Sequence, residues 1–185
     1  CPYNCAFCSV SMLKSRWRPR TPENVLEEIK SIYNLEKNIV VIFIDDNFFV
    51  NIDRSIKIME GLHELNIKFT FATRVNQIIL AETKLNYIKE LGCISIELGI
   101  ENGSNAMLNR FNKHTTVEEN KKAIKLLRKV GIEMAIDYIM FDNETSIDEL
   151  KENIQFLKDS MLWGTYPTFF YNKVLPVTNI NRPEI

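Results

Sequence analysis

The chain has 185 residues, 45% of them hydrophobic and 25% charged, with a formal net charge of −1. These are ordinary globular values that allow one sizeable buried core, and the charge balance gives no sign of a basic field for wrapping nucleic acid, leaving room for local patches only. No apolar run approaches the roughly 18 residues needed to span a bilayer, and four cysteines are too few for a secreted disulfide scaffold of this size.

The first element is a loop, Cys1-Pro-Tyr-Asn-Cys5-Ala-Phe-Cys8, which packs three of the four cysteines into the first eight residues. A Cys-x3-Cys-x2-Cys run of this kind aims three thiolates at one small volume. Zinc would want a fourth nitrogen or sulfur ligand, often from a second cysteine or histidine pair. Only His63, His114 and Cys93 remain, and none sits in such a pair. A cubane iron–sulfur cluster that only carries electrons takes four thiolates. Three leave one iron without a protein ligand and open to a small molecule, which turns an electron carrier into a candidate reaction centre. Sparse, unpaired cysteines also suit a reducing cytoplasm. A chain that opens directly on this first ligand and ends on Asn-Arg-Pro-Glu-Ile reads as an internal piece of a longer protein, without the strand that would lead into the loop.

Downstream, strand and helix patterns alternate. Arg16, Trp17, Arg18 and Arg20 form a basic-aromatic stretch, for which salt bridges to nearby acids are as good an account as contact with a substrate or partner domain. Thr21-Pro22-Glu23 opens a helix to about Asn34: Thr21 suits the cap, Pro22 the first helical position and Glu23 the positive end of the dipole. Ile39–Ile44 is short, β-branched and continuous, the pattern of a strand buried on both faces. A helix over Ile52–Leu65 precedes a strand near Ile67–Thr73. Another helix over Ile79–Leu91 is closed by Gly92, and Cys93–Ile100 is the next strand. The following helical region contains the capping box Thr116-Val-Glu-Glu119 and stops at Val130-Gly131. Ile132–Met140 is a strand, Ser146-Ile-Asp-Glu149 is a second capping box opening a helix to about Lys158, and Thr168–Leu175 reads as a last strand. This alternation predicts an α/β fold of parallel strands with right-handed crossovers, either a partial barrel or an open doubly wound sheet. Both place ligands at the carboxyl ends of the strands.

Polar residues gather at those ends. Asp45, Asp46 and Asn47 follow the first visible strand, where a pair of acids suits either an ordinary loop or the capture of an ammonium group. Arg74 and Asn76 follow the second. Glu97 and Glu101 alternate along the third, so both point to one face. Acids facing inward need cationic or hydrogen-bonding partners, and Arg74 on the neighbouring strand is the expected one. Lys113 and His114 come after a short helix, and Asp137 lies among apolar neighbours in the next strand. Cys93 reads as a small buried hydrophobe and His63 as a solvated helix residue.

These residues resemble the radical S-adenosylmethionine (radical SAM) enzymes. Cys1, Cys5 and Cys8, with the aromatic Phe7 before the last cysteine, look like that family's cluster loop. The resemblance implies a [4Fe–4S] cluster on those three cysteines, whose remaining iron binds the amino and carboxylate groups of S-adenosylmethionine. Reduction then gives methionine and a 5′-deoxyadenosyl radical that abstracts hydrogen from a small-molecule substrate. It also implies an external electron donor of the flavodoxin or ferredoxin type. The implied fold is a partial (β/α)6 barrel, TIM-barrel-like, with its first strand missing from this chain and residues 1–185 forming an incomplete core domain. By the same resemblance, Asp45, Asp46 and Asn47 occupy the place of the glycine-rich segment that holds the methionyl amino group. Glu101, in Gly99-Ile-Glu101, stands where a ribose ligand stands. Lys113 falls where a basic residue meets the methionyl carboxylate, and Asp137 matches a second ribose contact. Arg74 stands where some members have an acid. Met140-Phe-Asp-Asn-Glu144 departs from the family's usual glycine-proline turn.

Arg18-Pro-Arg-Thr-Pro-Glu-Asn-Val-Leu-Glu-Glu, Ile44-Asp-Asp-Asn-Phe and Ile139-Met-Phe-Asp are similar to the cobalamin-dependent branch, whose members carry a cobalamin-binding domain before the cluster loop. Methyl transfer to an unactivated carbon is that branch's commonest chemistry, alongside ring formation and other rearrangements. A methylthiotransferase of the same family, a non-catalytic iron–sulfur module for electron transfer or structure, and a zinc-binding interaction domain are the alternatives.

Overall fold

The structure, a computed structural model, describes residues 1–12 and 16–162. In chain order its elements are α1 (Ser9–Met12), α2 (Pro22–Leu35), β1 (Val40–Phe43), α3 (Ile52–Glu64), β2 (Lys68–Arg74), α4 (Val75–Leu80), α5 (Leu85–Glu90), β3 (Cys93–Glu101), α6 (Asn105–Arg110), α7 (Val117–Val130), β4 (Glu133–Tyr138) and α8 (Ile147–Asp159). Among the described residues the four strands form one sheet in the order β1-β2-β3-β4, with every pair parallel. The strand expected over Thr168–Leu175 lies outside the described residues. No helix among them is long and apolar enough to cross a membrane.

Helix boundaries follow local chemistry. Thr21 accepts a hydrogen bond from the Asn24 backbone at the start of α2, with Pro22 as its first residue. Thr116 with Glu119, and Ser146 with Glu149, form reciprocal capping boxes on α7 and α8. Gly131 ends α7 at φ 73°, a conformation glycine adopts without a Cβ penalty. The helix expected over Ile79–Leu91 is two helices: α4 starts directly after β2, and a 3-10 turn over Glu82–Lys84 separates it from α5. Ile78, Ala81, Leu85 and Ile88 are all buried. Their spacing of three, four and three residues fits one uninterrupted helix equally well, so apolar periodicity carries no sign of the break.

The core lies between one face of the sheet and the helices. Phe69 and Phe71 of β2, Ile96 and Leu98 of β3, Ile58, Met59 and Leu62 of α3, and Leu127 of α7 are all buried in it. The opposite face carries the exposed Lys68 and the half-buried Thr70 and Ala72 of β2, with Ser95 and Glu97 beside them on β3. β1 was expected to be buried on both faces, yet Val40 is 54% and Ile42 69% exposed. The reason is its place at the edge of the described sheet: only Val41 and Phe43 meet the core, and Phe43 stacks on Phe48 with ring centroids 4.1 Å apart.

Phe49 has no exposed surface and sits 4.6 Å from the Phe71 ring, so it pins the turn after β1 to the centre of the sheet. Phe49→Ala should destabilise the fold by about 3–5 kcal/mol, through lost burial and the cavity left behind, as read from the urea midpoint.

Candidate cofactor site

Because the strands are parallel, the segments after them emerge at one end, and the cysteine loop is seated there. The Ala6 backbone N–H donates to the Phe111 carbonyl (2.8 Å), and Asn112 Nδ2 donates to the Asn4 carbonyl (2.7 Å). Asn76 Nδ2 and Gln77 Nε2 both donate to the Tyr3 hydroxyl, at 2.8 and 3.1 Å. Phe7 packs edge-on against Phe111 at 5.5 Å, within a small cluster with Met107 and Ile139. The loop closes on itself through Cys8 N–H to the Cys5 carbonyl (3.1 Å).

Among the described residues Cys1, Cys5 and Cys8 take part in no disulfide; Cys5 is buried and the other two are partly exposed. Among the described residues, no group of three or more histidine, cysteine or acidic side chains is drawn together closely enough to hold a metal ion. Cys93 is buried at the start of β3, the end of the strand away from the loop, and burial pushes its thiol up to about 12. It behaves as the small hydrophobe expected. His63 and His114 are exposed.

Arg74, the last residue of β2, is only 4% exposed. It was expected to pair with the inward-facing acids of β3. Instead its Nη1 donates to Cys5 Sγ (3.0 Å), its Nη2 to the Lys113 carbonyl and its Nε to Asn76 Oδ1 (3.3 Å), while the guanidinium lies over the Tyr3 ring at 3.8 Å. The loop's placement diverts it: Tyr3 and Cys5 occupy the space beside Arg74, and Lys113 takes the acid.

Lys113 Nζ and Glu101 Oε1 are 2.6 Å apart in a buried ion pair. Glu101 itself has φ 64°, the left-handed region that a non-glycine residue enters only under constraint. The constraint is visible. The β3–β4 register shifts between Gly99 and Glu101, so that Gly99 faces Asp137 and Glu101 faces Tyr138. The Ile139 N–H donates to the Glu101 carbonyl (2.6 Å) and Asn102 Nδ2 to the Ile139 carbonyl (2.8 Å), while Asn120 Nδ2 bridges the carbonyls of Ile100 and Asn102. Gly99 leaves room for the pair: a Cβ there would stand 2.9 Å from both Glu101 Oε1 and Lys113 Nζ. Tyr3, Gln77 and Asn120 are thus site residues that sequence patterns did not single out, since their partners lie far along the chain.

The segment after β1 divides. Asp45 and Asp46 are exposed, whereas Asn47 is buried and accepts from Thr73 Oγ1 (2.8 Å) at the end of β2. Asn47 Nδ2 is buried without a hydrogen-bond partner among the described residues. Asp142, in the turn that departs from the family pattern, is a structural anchor: it binds Arg110 at 2.8 Å and accepts from Thr145, and the Arg110 guanidinium and these hydrogen bonds hold its carboxyl below the usual range against the effect of burial.

Asp137 shares a hydrogen bond with Glu97, and its carboxyl is pushed up to about 7, first by burial, then by the charges of Glu101 and Glu97, with Lys113 opposing. In the unfolded chain the same carboxyl titrates near 3.8. The folded state therefore holds the extra proton between those values, and stability falls as pH rises through that window. Asp137→Asn should melt higher than the parent protein at about pH 8 and alike below about pH 4, a difference readable in thermal unfolding across that range.

Residues 1–157 match the Radical SAM superfamily. The chain is 33% identical to the 4′-phospho-dehydrooxetanocin synthase of Priestia megaterium over 182 residues, covering 85% of this chain and 24% of that protein. It is 36% identical to an uncharacterized methyltransferase of Pyrococcus horikoshii over 163 residues, 85% of this chain and 35% of that one. Among solved structures, the cobalamin-dependent S-adenosylmethionine radical enzyme OxsB, with aqua-cobalamin and S-adenosylmethionine bound, superposes with a TM-score of 0.74 at 32% identity, covering 85% of this chain and 25% of that one. The chain thus spans about a quarter to a third of the length of these proteins. The family match runs from Cys1 into α8 and takes in every strand among the described residues: the chain belongs to the radical SAM superfamily of enzymes.

Proposed function

We propose that this chain is the core of a radical SAM enzyme of the cobalamin-dependent branch, holding a [4Fe–4S] cluster on Cys1, Cys5 and Cys8 and S-adenosylmethionine on the rim beside it. The observation that carries the reading is the seating of the cysteine loop at the same strand ends as Glu101, Lys113 and Asp137. The donor chemistry fits: three cysteines stand on one pinned loop, and the buried guanidinium of Arg74 meets the Cys5 sulfur. When bound, the cluster supplies the electron that splits S-adenosylmethionine into methionine and a 5′-deoxyadenosyl radical.

The chain's own residues bind and orient the cosubstrate. Lys113 takes the methionyl carboxylate, and Glu101 and Asp137 take ribose hydroxyls, with Glu101 held in place by the Ile139 and Asn120 hydrogen bonds around it. Below about pH 7 the Asp137 carboxyl can donate to a hydroxyl oxygen, and the Glu101 side-chain oxygens can accept from one. Asn47, whose Nδ2 has no hydrogen-bond partner among the described residues, lies with Asp45 and Asp46 in the segment expected to receive the methionyl amino group. Phe7 packs on Phe111 and holds the loop against the end of α6.

Cobalamin enters the proposal through OxsB and through the sequence likeness to that branch, and would be held by a part of the protein other than these residues. The similarity to a protein named as a methyltransferase supports methyl transfer to a small molecule as the chemistry. A flavodoxin or ferredoxin would deliver the electron.

Anaerobic reconstitution of the full-length protein with iron and sulfide should yield one [4Fe–4S] cluster whose EPR spectrum changes when S-adenosylmethionine is added; an unchanged spectrum would count against the reading. Cys1→Ala, Cys5→Ala and Cys8→Ala should each lose the cluster while Cys93→Ala keeps it, whereas loss on Cys93→Ala would favour a four-ligand electron-transfer module. Lys113→Ala should raise the Kd for S-adenosylmethionine about 10- to 100-fold, the loss of one hydrogen bond to a charged group.

A further inference from the structure

Arg74 is set apart from the other cations near the rim. Lys113 is matched by Glu101, and Arg110 by Asp142 and Glu149. Arg74 is 4% exposed, and among the described residues it makes no ion pair with a carboxylate. A guanidinium stays protonated in a protein, and a buried charge without a counter-charge is costly. Its hydrogen-bonding partners are two neutral oxygens and one sulfur, Cys5 Sγ at 3.0 Å. Of these, only the sulfur can become an anion. The remaining face of the guanidinium is covered by the Tyr3 ring, which Asn76 and Gln77 hold by its hydroxyl. Every contact thus fixes the cation in one orientation, with one nitrogen aimed at a cysteine of the cluster loop.

We propose that Arg74 tunes the cluster: its guanidinium, fixed against Tyr3 and donating to the Cys5 sulfur, raises the reduction potential of a cluster bound to Cys1, Cys5 and Cys8. This rests on the reading of those cysteines as cluster ligands. Hydrogen bonds to the sulfurs, local charge and solvent exposure set the potential of an iron–sulfur centre. Reduction adds negative charge, and a permanent cation held next to a ligand sulfur stabilises the more negative form. Burial strengthens the effect, because little water intervenes to screen it. The same residue joins the loop to β2 and to the Lys113 backbone, so the electronic setting of the cluster and the position of the lysine at the cosubstrate site share one anchor.

The test is an EPR-monitored redox titration of the full-length protein, reconstituted without oxygen, against Arg74→Gln and Arg74→Lys. Arg74→Gln should shift the midpoint to more negative potential, so that the ratio of reduced to oxidised cluster at the wild-type midpoint falls about tenfold or more. Arg74→Lys keeps a charge but lacks the planar fork and its stacking, and should shift in the same direction by less. If all three proteins load a cluster and titrate alike, the role of Arg74 is overturned while the cluster assignment stands. Loss of the cluster from both variants would overturn it too, by making Arg74 a requirement for assembly rather than a tuner. If the wild-type protein itself takes up no four-iron cluster, the underlying assignment fails instead.

Discussion

Parallel strand pairing is the constraint from which the rest of this molecule follows. Each crossover returns the chain to the same starting end, so the segments after β1, β2, β3 and β4 emerge together. Residues far apart in the chain thereby become neighbours, as Cys5 and Arg74 do across 69 positions. The apolar face of the sheet, dominated by Phe69, Phe71, Ile96 and Leu98, holds that geometry rigid, and the polar groups at the strand ends inherit the rigidity.

The rim uses its buried charges in three ways. Glu101 and Lys113 neutralise one another, Asp137 keeps its proton up to about pH 7, and Arg74 faces sulfur. Such an arrangement stays stable only while each partner is present, because removing one strands the other in a poorly solvated place. The strained backbone at Glu101 belongs to the same design. The shift in register after Gly99 turns the strand's last residue toward the lysine, and the side chains of Asn102 and Asn120 tie down the turn that results.

Much of this was legible in the sequence. The alternation of helix and strand, the two capping boxes and Gly131 each depend on residues close together in the chain, and the structure bears them out. The gathering of Glu101, Lys113 and Asp137 followed from the parallel topology alone. What escaped depends on contacts between distant segments. Nothing local marks Glu101 as left-handed, since a glycine would ordinarily occupy such a position. Arg74 was assigned to the acids of the next strand because distance along the sheet suggested them, whereas Tyr3, hidden inside the cysteine motif, supplies the surface on which it rests. The break between α4 and α5 left the apolar spacing unchanged and so left no trace.

The exposed side of β1 has a consequence for solution behaviour. Its backbone edge is free of a second neighbour among the described residues, and Val40 and Ile42 display branched apolar groups beside it. An open edge of this kind templates the addition of another strand. A strand laid alongside it in the same direction would extend the sheet and bury those side chains. Without one, copies of this polypeptide would tend to adhere through that seam, and adhesion there would be relieved by a charged residue in place of Ile42.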